Sequence, residues 1–136
     1  MKKEIINVFH IALLLYCWKV NSQQLVQNIG DIQKLKENEA AFINKPLKDL
    51  LKEIKPEIKI AFPSNEPQSF DFRFLSADQI RKNEGTTAEN AALFVDVKNF
   101  IDWNWENRPK RKEPNWTKED AEKYGNLIIV GIEIIY

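Results

Sequence analysis

The stretch Pro46-Leu47-Lys48-Asp49-Leu50-Leu51-Lys52-Glu53-Ile54-Lys55-Pro56-Glu57-Ile58-Lys59-Ile60-Ala61-Phe62 changes its hydrophobic period part-way along. Leu47, Leu50, Leu51 and Ile54 recur at i, i+3, i+4 and i+7. That spacing is one apolar stripe of a helix whose other face carries Lys48, Asp49, Lys52 and Glu53. Pro46 suits the first turn, where a missing N–H costs nothing, and Pro56 stops the helix. Beyond Pro56, Ile58, Ile60 and Phe62 alternate with Glu57, Lys59 and Ala61, the period-two pattern of a half-buried strand. A helix followed at once by such a strand begins an α+β reading.

The flanking sequence extends it in both directions. On the N-terminal side, Asp31 to Ile43 places Ile32, Leu35 and Phe42 at roughly helical spacing, with Ala40 and Ala41 as helix formers and Asp31 as a cap. On the C-terminal side, Phe70, Phe72 and Phe74 alternate with Ser69, Asp71 and Arg73, and Pro63 to Gln68 reads as a turn or short loop. Leu93, Val95 and Val97 form one face of a third strand, opposite Phe94, Asp96 and Lys98. Ser76-Ala77-Asp78-Gln79 is a capping box that predicts a short helix to about Asn83, ended by Gly85. Thr117-Lys118-Glu119-Asp120 repeats the signature more loosely, with Trp116 and Ala121 placed to staple it and Gly125 to close it.

The final segment, Asn126 to Tyr136, puts Ile128, Val130, Ile132, Ile134 and Tyr136 on one face and Leu127, Ile129 and Ile135 on the other. So much apolar surface on both faces predicts a central strand. The expected domain, residues 23–136, is α+β: two N-terminal helices packed on a four-stranded, mainly antiparallel sheet, with short helices in the later connections. This order of elements, α-α-β-β-(α)-β-(α)-β, resembles that of small exported domains of the beta-lactamase-inhibitor-protein-like and outer-membrane-assembly lipoprotein kind. The likeness is one of element order, and a fold does not imply an activity.

Residues 1–22 read as a cleavable secretory signal. Lys2 and Lys3 form a positive start, Ile5 to Trp18 an apolar stretch densest from Ile11 to Trp18, and Val20-Asn21-Ser22 a small-residue cut before Gln23. The apolar run is shorter than the about 20 residues a spanning helix needs, and Lys19 ends it. Cys17 follows Tyr16 rather than a small residue, so it reads as part of the apolar run and not as a lipid-attachment site. The chain has 20 basic and 20 acidic residues. Three of the first and one of the second lie in the signal, which leaves 17 and 19 and a net charge of −2. Nothing global in that balance attracts nucleic acid or an anionic membrane surface.

His10 and Cys17 are the only histidine and cysteine, and both precede Gln23. After cleavage the domain has no nucleophile system based on His or Cys, no His/Cys metal or haem ligation and no disulfide. The glycines that remain, Gly30, Gly85, Gly125 and Gly131, form no phosphate-cradling run. No cofactor is expected. Catalysis would fall to a carboxylate pair, a Ser–Lys pair or a tyrosine; the candidate carboxylates near the Trp-rich segment are Asp96, Asp102 and Glu106, and two that lie close together could act across a glycosidic bond.

One segment stands apart. Asn99 to Trp116 holds Trp103, Trp105 and Trp116 with Arg108, Lys110, Arg111 and Lys112, and is punctuated by Pro109 and Pro114. Connections this long inside a compact domain are uncommon and often functional. Trp and Arg are enriched where proteins meet, and tryptophan faces also stack on sugar rings. Trp103 and Trp105, two apart, share a side if the segment is extended. Phe100 and Ile101 are expected to carry the third strand on into the core, and Trp116 to pack as the helix staple. Asn115-Trp116-Thr117 fits a glycosylation sequon, but Thr117 is better explained as a helix cap.

The expected site is therefore Trp103, Trp105, Arg108, Lys110, Arg111 and Lys112. The expected function is an exported, non-catalytic binding module for a protein partner or an envelope glycan, periplasmic or secreted. Two alternatives stand beside it: a carboxylate-based hydrolase of an envelope polymer, and a structural envelope protein retained by an uncleaved N-terminus.

Overall fold

The computed structural model describes residues 23–136, and the signal reading of residues 1–22 lies outside them. The described chain is α+β. Four strands, β1 (Ile60–Asn65), β2 (Gln68–Arg73), β3 (Ala92–Val97) and β4 (Ile129–Ile135), form an antiparallel sheet in the order β1-β2-β3-β4. Four short helices accompany it: α1 (Gln33–Glu37), α2 (Leu47–Leu51), α3 (Ala77–Arg81) and α4 (Lys118–Tyr124). Among the described residues, no helix is long and apolar enough to cross a membrane.

One side of the sheet carries the core. Ala61 lies opposite Phe72, Phe70 opposite Val95, and Leu93 opposite Ile134. These residues form one buried cluster with Ile32, Leu35, Leu47 and Leu50 from the N-terminal segment. The alternation in β2 and β3 is the one the sequence predicts. In β1 it differs: Ala61 faces the cluster, while Phe62 is exposed. Ile60, on the opposite face from Ala61, is buried all the same, because Asn115 bridges to it along the outer edge of β1.

The first helical segment is broken where the sequence reads one helix from Asp31 to Ile43. It consists of a 3-10 turn at Ile29–Asp31, then α1, then a second 3-10 turn at Glu39–Ala41. The break falls at Asn38, whose backbone N–H and side-chain amide both bond to the carbonyl of Lys34. An Asn side chain that competes for helix carbonyls in this way ends a helix. Asp31 does not cap a long helix. Its carboxylate accepts from the backbone N–H groups of Gln27 and Asn28.

Both later capping boxes form, Ser76 with Gln79 and Thr117 with Asp120. Gly85 ends the α3 region with a φ of 90°, which favours glycine. Gly125 has an ordinary helical φ of −59°. Its need for glycine is spatial: an added Cβ would meet the Ala121 carbonyl oxygen of α4 first and then Lys48 of α2, whose N–H donates to the Gly125 carbonyl at 2.8 Å.

The last strand departs most from expectation. β4 lies at the edge of the sheet and pairs with β3 alone. Its alternation is also shifted. A bulge at Asp96/Val97 places Gly131 opposite Asp96 and Ile129 opposite Val97, so Val130 is the extra residue. Ile129, Ile132 and Ile134 are therefore buried together, while Val130, Ile135 and Tyr136 are exposed.

Candidate functional site

The long connection after β3 is tied down at its start. Asn65, at the end of β1, grips Ile101 from both sides. Its Oδ1 accepts from the Ile101 N–H at 2.8 Å and its Nδ2 donates to the Ile101 carbonyl at 3.0 Å. The carbonyl of Asp102 then accepts from the Tyr124 hydroxyl at 2.5 Å and from Lys123 Nζ at 3.0 Å. These bonds bury Ile101 and turn Phe100 outward, where it is 70% exposed. The expectation that Phe100 enters the core is thus corrected: the strand ends at Val97, and the loop enters the core at Ile101.

Trp103 is 9% exposed and belongs to the core cluster. Its ring stacks on Tyr124 at 5.6 Å and lies nearly parallel to Trp116 at 6.4 Å. Trp116 in turn meets the edges of Phe70 and Phe72 at 5.7 and 5.0 Å. Offset-stacked and edge-to-face pairs of this kind contribute beyond their area alone. The Trp103 Nε1 is buried without a hydrogen-bond partner among the described residues.

Arg108 completes the assembly. Its guanidinium lies 3.7 Å from the centre of the Trp103 ring. It donates to both carboxylate oxygens of Asp120, at 2.9 and 2.7 Å, and to the carbonyls of Glu113 and Asn115, at 2.6 and 2.7 Å. A planar guanidinium with several donors suits this role, and a lysine could not reproduce it. Asp120 is 6% exposed. Burial pushes its carboxyl up, but the Arg108 guanidinium and the backbone N–H and hydroxyl of Thr117 outweigh that and hold it below the ordinary carboxylate range.

The rest of the segment faces outward. Trp105 starts a 3-10 turn at Trp105–Asn107, is 42% exposed, and meets Trp103 edge-on at 5.7 Å and 62°. It does not form a flat platform with Trp103: Trp105 begins the 3-10 turn instead of continuing an extended segment, and the two rings are inclined at 62°. The chain then reverses at Pro109–Lys112, with the Lys112 N–H bonded to the Pro109 carbonyl and Arg111 in the left-handed region at φ 69°. Lys110, Arg111 and Lys112 are all exposed. None of the three has an ion-pair partner among the described residues.

The six expected site residues thus divide. Trp103 and Arg108 are used within the molecule, and Trp105, Lys110, Arg111 and Lys112 are presented to solvent. The sequence reading missed Asp120, Tyr124 and Asn65, which hold the loop. The Thr-x-x-Asp box placed Asp120 at a helix start, but no local pattern pairs it with a residue 12 positions earlier.

The carboxylates considered for catalysis are separate in character. The Asp102 side chain is 82% exposed and 3.8 Å from Lys123. Asp96 lies beside Gly131 on the opposite sheet face from the core. Asp31, Glu39, Asp78 and Asp120 have shifted pKa values, and all four are shifted down. No group of three His, Cys, Asp or Glu side chains that could hold a metal occurs among the described residues. Compared with known proteins, the chain matches no family model, no curated protein and no solved structure.

Proposed function

We propose that this protein is an exported, non-catalytic binding module that holds an acidic protein partner through Trp105, Lys110, Arg111 and Lys112. The observation that carries this reading is the division of labour within the loop. Arg108 satisfies the internal acid Asp120, while the three cations that follow it have no acid of their own among the described residues. In the same connection, Trp105 is 42% exposed. An anchored loop gives up little conformational entropy on binding, and steering by unpaired cations speeds encounter with an acidic surface.

A protein partner fits better than a glycan. Sugar stacking needs an open aromatic face, and Trp103, the second tryptophan of the pair, already has Arg108, Tyr124 and Trp116 against it. The hydrolase reading would call for a carboxyl held above its ordinary range as the general acid, whereas Asp31, Glu39, Asp78 and Asp120 are all held below it by neighbouring hydrogen bonds and cations. The export part of the proposal rests on the pattern in residues 1–22.

The test is an affinity capture from envelope extract with the purified protein and a variant carrying Trp105→Ala, Lys110→Glu, Arg111→Glu and Lys112→Glu. An acidic protein held by the wild type, released by moderate salt and lost with the folded variant supports the proposal. Identical captures from both baits count against it.

A further inference from the structure

On the reading that this protein holds an acidic partner, we propose that the furrow between α2 and α4 takes an acidic peptide segment of that partner, seating one large apolar side chain of the segment against Trp116.

The two helices are joined at one end. There Leu47 donates its N–H to the Leu127 carbonyl at 2.7 Å, and Lys48 donates to the Gly125 carbonyl at 2.8 Å. Beyond the join a cavity of about 320 Å³ lies between them, walled by Leu51 and Ile54 on one side and by Trp116 and Ala121 on the other. Both walls are fixed by the fold. Ile54 bridges to Val26, and the Lys55 N–H donates to the Val26 carbonyl at 2.9 Å. The Trp116 N–H donates to the Lys59 carbonyl at 3.0 Å, and its ring is packed on Phe70 and Phe72. A preformed site of this kind loses little freedom on binding. Its size falls at the lower end of the about 300–1,000 Å³ of ligand sites, which suits one large side chain better than a cofactor.

The furrow runs on from this cavity in both directions. Past Lys118 and Ala121, a hollow of about 370 Å³ reaches Lys48. Past Trp116 and Thr117, another of about 290 Å³ reaches Lys59. Lys48, Lys55, Lys59 and Lys118 therefore line the furrow against two acids, Glu57 and Glu122. None of the four lysines has an ion-pair partner among the described residues. An apolar floor calls for an apolar side chain, and an excess of unpaired ammonium groups calls for carboxylates beside it.

The furrow also adjoins the loop tip. Lys112 is four residues from Trp116, at most about 14 Å along the chain. A partner of ordinary interface size, about 800 Å² on each side, covers both together.

An NMR titration of the purified protein tests the proposal. The probes are three capped pentapeptides, Glu-Glu-Leu-Glu-Glu, Glu-Glu-Ser-Glu-Glu and Lys-Lys-Leu-Lys-Lys, and octanoate. The acidic leucine peptide is expected to shift the Trp116 indole and Ala121 amide signals. Serine in place of leucine should weaken binding about tenfold or more, and the basic peptide should not bind. A Lys55→Glu/Lys118→Glu variant should lose the acidic peptides. Ala121→Leu, which fills the cavity, should bind the leucine and serine peptides alike. Equal binding of those two peptides to the wild type overturns the proposal, as does binding of the basic peptide at the same signals. Tighter binding of octanoate there overturns it in favour of a lipid acid. Shifts confined to Trp105 and Lys110–Lys112, or no shifts at all, overturn it too, and the first of these leaves the loop standing as the acidic partner's site. Shifts at Trp116 with none at the loop support the furrow and count against the loop.

Discussion

The guanidinium of Arg108 lies 3.7 Å above the Trp103 ring and grips both oxygens of Asp120. One residue thus joins the loop to the core through an aromatic face and to α4 through a nearly buried carboxylate. A cation over an indole that is also shielded from water contributes up to about 2 kcal/mol, and breaking a buried pair costs more because the partner charge stays behind. Arg108→Ala should destabilise the protein by about 3 kcal/mol in denaturant titrations. Arg108→Lys should recover only a minor part, because an ammonium cannot reach Asp120, Glu113 and Asn115 together. Equal stability of Arg108→Ala and wild type would mean that the cluster does not hold the loop.

The Asp120 carboxyl sets a pH dependence with a definite sign. Its folded-state pKa lies below its unfolded value. Its contribution is therefore present above the unfolded value and is lost as the pH falls through the folded one. Asp31, Glu39 and Asp78 act in the same direction, chiefly through Lys34, Lys36 and Lys82 respectively. The wild type should therefore lose stability steeply below about pH 4. Asp120→Asn should be less stable at pH 7, with the gap narrowing as the pH falls. Urea midpoints at pH 7, 5 and 3 measure this, and a gap that widens towards acid would contradict the assignment.

Gly125→Ala separates space from propensity. Gly125 has a helical φ, and alanine is the better helix former. Yet an added Cβ would sit 2.6 Å from the Ala121 carbonyl oxygen and 3.2 Å from Lys48 Cβ. Overpacking against backbone costs about 1–3 kcal/mol, which exceeds the gain in propensity. A lowered thermal midpoint is expected, and a raised one would show that the end of α4 and the neighbouring Lys48 side chain relax away from the added methyl group.

Much of this architecture follows from local pattern. The phenylalanine alternation of β2 and both capping boxes are short-range signals, and each forms as its residues suggest. The departures are long-range. Nothing near Ile134 tells that Lys36 and Glu39, over 90 positions earlier, will cover its neighbour Ile132, so apolar density alone points to a central strand. A one-residue bulge likewise inverts a face without any composition change. In the loop, residue type singled out the aromatic and basic positions. Whether a tryptophan is core or surface depended on Asp120 and Tyr124, which lie on a helix that the local pattern treats separately.

That distinction gives the most direct contrast between stability and binding. Trp103 fills the space between Phe70, Trp116 and Tyr124, so Trp103→Ala should cost about 3–5 kcal/mol and unfold the loop with the core. Trp105 touches Trp103 with one edge and is 42% exposed, so Trp105→Ala should cost about 1 kcal/mol or less. Under the proposed function the order reverses for a folded protein. Trp105→Ala should weaken partner capture while leaving the thermal midpoint nearly unchanged, because the residue lost belongs to the contact surface. Lys110→Ala, Arg111→Ala and Lys112→Ala should each slow association and reduce its salt dependence, also without a change in midpoint, since none makes an ion pair among the described residues. Parallel melting curves and binding rates at two salt concentrations check the pattern. A Trp105→Ala protein that melts as early as Trp103→Ala would place Trp105 in the core and remove it from the contact surface.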